Sequence, residues 1–68
     1  MNKFSERLQE LRKEKGLSRK QLSQVFFVSE RLISYWENGQ RECSFEQLIA
    51  IAKYFNVSTD YLLGVVNF

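Results

Sequence analysis

The chain has 68 residues, 44% of them hydrophobic and 26% charged, which makes one small domain: two cores do not fit in this length, and the apolar fraction is too high for a disordered chain. Zero histidines and one cysteine exclude an internal disulfide and a zinc site of the usual His/Cys type, and no carboxylates are paired for acid–base work, so an enzyme is not expected. The net charge of +2 is uneven, with seven bases against three acids in residues 1–20 and three bases against five acids in residues 21–68. The basic third suits a polyanion, and equally suits ion pairs on a wet helix face. No run of about 18 apolar residues exists to span a membrane, and the charged N-terminus lacks the apolar core of a signal peptide. A reducing cytoplasm is the expected location.

The first predicted helix covers residues 3–15, with Phe4, Leu8 and Leu11 as its apolar stripe and Gly16 closing it. Ser18 opens the second, at 18–26, with Leu22, Val25 and Phe26 inward. Ser29 opens the third, at 29–38, with Ile33 and Trp36 inward and Gly39 after it. Ser44 opens the fourth, at 44–55, whose stripe is read as Phe45, Leu48, Ile49, Ala52 and Phe55. Ser58 opens the fifth, at 58–63, before Gly64. Each serine follows an apolar or soft residue matched by another five positions on: Leu17–Leu22, Val28–Ile33, Cys43–Leu48 and Val57–Leu62. This is the hydrophobic staple, four times over; Ser18/Gln21 and Ser44/Gln47 add two capping boxes. With no proline, no repeat and short connections, the prediction is an all-α, compact five-helix bundle over 1–64, followed by a short apolar tail at 65–68.

Only Phe27 and Val28 separate the second helix from the cap of the third, which is helix-turn-helix spacing, with the small Ser23 placed where the helices cross. At about 100° per residue from Ile33, Trp36 and Glu37 fall toward the core, whereas Arg31, Ser34, Tyr35 and Asn38 fall on the opposite side and Glu30 on the flank. That outer array matches what a major groove displays. Arg31 suits guanine O6 and N7, Glu30 suits cytosine N4, and Ser34 and Tyr35 suit further hydrogen bonds or a thymine methyl. An ordinary solvated face would look the same, and the residues alone support both readings.

Arg19, just after the Ser18 cap, sits where a phosphate is favoured, and the loop Asn38, Gly39, Gln40, Arg41 with Ser44 offers a second group of donors. Glu37, facing inward, needs a partner, and Arg12 is the candidate for a salt bridge between the first and third helices.

The stretch from Leu8 to Ser18, then Gln21-Leu22-Ser23, Val28-Ser29, Ile33-Ser34-Tyr35-Trp36-Glu37-Asn38-Gly39 and the run from Leu48 to Gly64, resembles the Cro/C1-type (XRE-like) helix-turn-helix family. The resemblance covers roughly residues 4–64. It implies a lambda-repressor-like five-helix domain that binds double-stranded DNA, usually as a homodimeric repressor on a palindromic operator; separately, no cofactor or metal is expected. It also implies base contacts from Ser29, Glu30, Arg31 and Tyr35, and phosphate contacts from Arg19 and the loop after Asn38.

Three positions depart from the family pattern: Arg19 replaces a glutamine, Phe27 a turn glycine, and Cys43 a proline before the fourth helix. A left-handed Phe27 would cost about 1–2 kcal/mol, so either the turn differs or the ring is exposed and free to contact a partner. Cys43 serves either as a small staple residue or, with a lowered thiol pKa at a helix start, as a redox sensor. Val65, Val66 and Phe68 are candidate dimer contacts, with packing on the bundle or a frayed end as the alternatives. Two other functions compete with a DNA-binding repressor. One is an antitoxin using the same fold, with a toxin or antirepressor as protein partner; the other is an interaction module without DNA binding.

Overall fold

The computed structural model describes residues 2–67. Five helices follow in order: α1 (Phe4–Glu14), α2 (Arg19–Phe26), α3 (Glu30–Glu37), α4 (Phe45–Phe55) and α5 (Thr59–Leu63). All five agree with the sequence expectation to within a residue or so at each end, and no strand occurs among the described residues. The start signals act through hydrogen bonds. The hydroxyls of Ser18, Ser29, Ser44 and Ser58 accept from the backbone N–H groups of Gln21, Leu32, Gln47 and Tyr61. The Gln21 and Gln47 side chains accept in return from the amides of Ser18 and Ser44, each at 2.8 Å, completing both capping boxes. Helix α1 has no serine cap; the Asn2 side chain accepts from Phe4 N–H at 3.0 Å and takes that role.

The core joins all five helices: Phe4 and Leu8, Leu22, Ile33 and Trp36, Ile51, Ala52 and Phe55, and Leu62. Phe4 meets Trp36 edge-on at 6.3 Å, and Tyr54 stands edge-on to both Phe26 and Phe55. The staple residues Leu17, Val28, Cys43 and Val57 pack against this core half-buried. The stripe expected on α4 is wrong in two places. Phe45 is 87% exposed and Ile49 is 48% exposed, whereas Ile51, absent from the predicted stripe, is fully buried. Eight of the eleven residues of α4 are apolar or aromatic, so two stripes with the same steps fit the sequence equally well. The inward one is Leu48, Ile51, Ala52 and Phe55.

The C-terminal segment returns to the bundle through Arg7. Its Nη1 donates to the carbonyls of Tyr61 (2.8 Å) and Val66 (3.1 Å), Nη2 donates to Asn67 Oδ1 (3.4 Å), and the guanidinium lies 4.2 Å from the centre of the Tyr61 ring. Val65 remains largely exposed and Val66 is half-buried. Phe68, the third candidate dimer contact, lies outside the described residues. Gly64 closes α5 at φ +84°, and a Cβ there would stand 2.8 Å from Lys3 Cγ, so both the backbone angle and the space call for glycine.

Phe27 is left-handed, at φ 56°, and its side chain is 93% exposed. The two outcomes expected as alternatives therefore occur together. The backbone pays the strain because the left-handed residue ends α2: the amides of Phe27 and Val28 both turn back to the Ser23 carbonyl. The exposed ring returns little packing. Phe27→Gly should therefore raise stability by about 0.5–1 kcal/mol, once the extra chain entropy of glycine is set against the strain removed. A urea melt checks this, and equal or lower stability would mean the ring packs more than its exposure indicates.

Candidate nucleic-acid interface

Helices α2 and α3 pack on one another, and Ser23 on α2 is buried and donates its hydroxyl to the Lys20 carbonyl at 2.6 Å. On the inner side α3 carries Ile33, Trp36 and Glu37, all buried; the indole N–H of Trp36 has no acceptor among the described residues. On the outer side Ser29, Glu30 and Arg31 are exposed, and Ser34 and Tyr35 are partly exposed. Arg31, Ser34 and Tyr35 thus share the outer side of one short helix, and Ser29, its N-cap, and Glu30 are exposed at its N-terminal end. Two are partly occupied: Ser29 Oγ caps the helix, and Ser34 Oγ accepts from Asn38 Nδ2 at 3.4 Å. Arg31 and Glu30 form no ion pair with one another or with any described residue, so both ends of the donor–acceptor set are available.

Beneath this face lies a charged cluster. Arg12 and Glu37 meet: Arg12 Nε donates to Glu37 Oε2 at 2.6 Å and Nη2 to Oε1 at 3.1 Å, while Nη1 reaches the Leu17 carbonyl at 2.8 Å. The Glu37 side chain is fully buried. A second arginine joins it, with Arg19 Nε donating to Glu37 Oε1 at 3.0 Å. Sequence reasoning placed Arg19 as a free phosphate ligand and missed this bond. An inward carboxylate with four lone-pair sites wants more than one donor, and that was the available signal.

The start of α2 differs electrostatically from the other helix starts. Helices α1, α3, α4 and α5 each have an acid in the first turn (Glu6, Glu30, Glu46 and Asp60), whereas α2 has none and instead begins Arg19-Lys20. Ser18 satisfies only the Gln21 amide in that turn, so the amides of Arg19 and Lys20 face outward with the positive end of the helix dipole.

In the loop after α3 the donors left free are side chains. The amides of Asn38, Gly39, Gln40 and Arg41 all bond back to the last carbonyls of α3, on Ser34, Trp36 and Tyr35, so the loop has side chains but no amides to offer an anion. Asn38, Gln40 and Arg41 are exposed; Ser44 is exposed too, with its oxygen and amide engaged in the α4 capping box. The lowered thiol pKa expected of Cys43 as a redox sensor is not found. Burial, with Glu42 adding to it, pushes the thiol pKa up, which suppresses the reactive thiolate.

A family model described as helix-turn-helix matches residues 8–62, nearly the whole bundle. The chain belongs to the Cro/C1-type helix-turn-helix family. This helix-turn-helix domain is 43% identical over 61 residues to the HTH-type transcriptional activator BcrR of Enterococcus faecalis, a match covering 90% of this chain and 30% of that protein. It is 32% identical over 61 residues to the HTH-type transcriptional regulator ImmR of Bacillus subtilis, covering 90% of this chain and 48% of that one. The chain thus spans half or less of the length of these curated relatives. Among solved structures, a transcriptional regulator from Listeria innocua superposes with a TM-score of 0.91 at 36% identity, covering 97% of this chain and 62% of that one. The P22 c2 repressor, solved in complex with a synthetic operator, superposes with a TM-score of 0.84 at 33% identity, covering 93% of this chain and 96% of the repressor. Among the described residues, no helix of this domain is long and apolar enough to cross a membrane.

Proposed function

We propose that this domain is the DNA-binding part of a cytoplasmic transcription regulator that reads duplex DNA sequence-specifically as a homodimer on a two-fold symmetric operator. The observation that carries the reading is the division of α3. Ile33, Trp36 and Glu37 lock one side into the bundle, Arg31, Ser34 and Tyr35 stand on the other, and Ser29 and Glu30 are exposed at the N-terminal end. A helix of this diameter fits a major groove. Arg19 and Lys20 at the acid-free start of α2, with Asn38, Gln40 and Arg41 beyond α3, supply phosphate contacts on either side, and Ser44, held in its capping box, has only its hydroxyl proton to add. The homodimer is supported by apolar side chains that one copy leaves wet: Phe45, Ile49 and Val65. Named relatives include both an activator and a repressor. We assign repression by occlusion, which needs only occupancy, and a promoter fusion reads its sign.

The test is an unbiased selection of duplexes from a random library at about 50 mM salt. The expected motif is two-fold symmetric, with half-sites about one helical turn apart. Recovery of no duplex at that salt would overturn the reading.

A second reading rests on Phe27, a large exposed ring held at strained backbone. In an antitoxin this ring would face the toxin, and a small protein co-purifying with wild type but lost in Phe27→Ala would favour it.

A further inference from the structure

Glu37 receives three guanidinium N–H groups, and the two arginines that supply them are differently placed. Arg12 is spent on the fold, with Nε and Nη2 on Glu37 and Nη1 on the Leu17 carbonyl. Arg19 gives only Nε; its side chain is 39% exposed, and its two η nitrogens make no hydrogen bond with any described residue. We propose that Glu37 is a positioning residue for DNA binding, holding Arg19 by Nε so that both η nitrogens are presented as a fork to one backbone phosphate. The inference rests on the DNA-binding reading above and adds to it the part played by a buried carboxylate that DNA never touches.

Three features support it. A guanidinium is planar, so fixing Nε fixes the direction of the remaining pair of donors, which match a phosphate two by two. One carboxylate shared by two guanidinium groups leaves the cluster with one positive charge in excess, so the tether does not cancel the attraction for phosphate. Arg19 is also the first residue of α2, beside the outward amides of the only helix start that lacks an acid in its first turn. An arginine loose in solvent loses rotamer freedom when it binds, whereas this one has already lost it in folding. Because Glu37 is the last residue of α3, the same bond sets the phosphate contact in register with the helix that carries Arg31.

The experiment separates aim from charge. In Arg12→Met/Glu37→Leu the net charge of the domain is unchanged, the buried pair becomes apolar, and Arg19 remains but is no longer held. Affinity is measured by fluorescence anisotropy on the duplex selected by wild type and on a random duplex, across a salt series, after a melt has shown the variant folded. The expected result is a fall of about five- to tenfold on both duplexes alike. Binding equal to wild type, or tighter now that a carboxylate is gone, overturns the proposal. Arg19→Lys is the second variant, because a lysine paired with Glu37 has no fork left to offer. It should lose about as much as Arg19→Gln, and both should reduce the slope of log K against log salt by about 1. An Arg19→Lys domain that binds like wild type with an unchanged slope defeats the fork. Variants that melt earlier but keep the slope make Arg19 purely structural, which defeats it too. If wild type itself binds neither duplex at about 50 mM salt, the DNA-binding reading falls first and this inference with it.

Discussion

Glu37→Gln should remove most of the stability of this domain, with a loss of about 3–5 kcal/mol. The glutamine keeps one acceptor oxygen and puts an N–H₂ where the other stood, so donors now face donors. Arg12, itself almost fully buried, is left with a charge that nothing nearby compensates. A chain of this length has about 3–10 kcal/mol of stability in total. At about 4–8 °C per kcal/mol for a domain of this size, the melting temperature should fall by at least about 12 °C, as followed by far-UV circular dichroism. Arg12→Ala should cost a comparable amount, since it leaves the fully buried Glu37 with Arg19 alone. Arg12→Met/Glu37→Leu should recover much of the loss, because a well-packed apolar pair escapes the desolvation that the ions pay. A Glu37→Gln domain that melts within a few degrees of wild type would mean that the cluster contributes no net stability. So would a double variant no more stable than either single one.

The helix starts were legible because a serine cap with apolar residues before and after it is a local signal, complete within six residues. Helix α4 shows where that legibility ends. Its existence and limits were plain, but a helix apolar on most sides does not say which side faces in, and only contact with α5 and α2 selects Ile51 over Phe45 and Ile49. Asn56 ends α4 left-handed at φ 57°, a stop that a glycine announces in a sequence and an asparagine, equally at home in ordinary turns, does not. The outer face of α3 could be read from the wheel, as could the inward turn of Glu37 and its pairing with Arg12. The need of Glu37 for a further donor could be read as well, but not that Arg19 fills it, because that depends on how α2 crosses α3. Nor could the role of Arg7, which the pattern of α1 offers only as one more wet charge and which the fold uses to hold Tyr61, Val66 and Asn67. Which donors the loop after α3 leaves free was not legible, for a similar reason. Whether a loop amide is spent depends on the turn it makes, and here a tight return to Ser34, Tyr35 and Trp36 uses all four.

Arg31→Ala should weaken binding to the selected operator by about 1–3 kcal/mol, a loss of roughly five- to more than a hundredfold, and leave binding to random duplex nearly unchanged. Arg31 is exposed, stands in the first turn of α3 and has no ion-pair partner in the fold. Its removal should therefore cost the domain almost no stability, which distinguishes it from Arg12 and Arg19. A bidentate guanidinium on guanine reads one base pair, so repeating the duplex selection with the variant should show lost preference at one position of each half-site and an intact motif elsewhere. Arg31→Lys should restore part of the affinity and little of the preference, because a lysine has the charge without the two-pronged geometry. If Arg31→Ala instead weakens operator and random duplex alike and lowers the salt slope by about 1, Arg31 is a phosphate ligand. Reading would then fall to Tyr35, Ser34 and Glu30, and the motif would owe more to the acceptor on Glu30 and the Tyr35 ring than to an arginine on guanine.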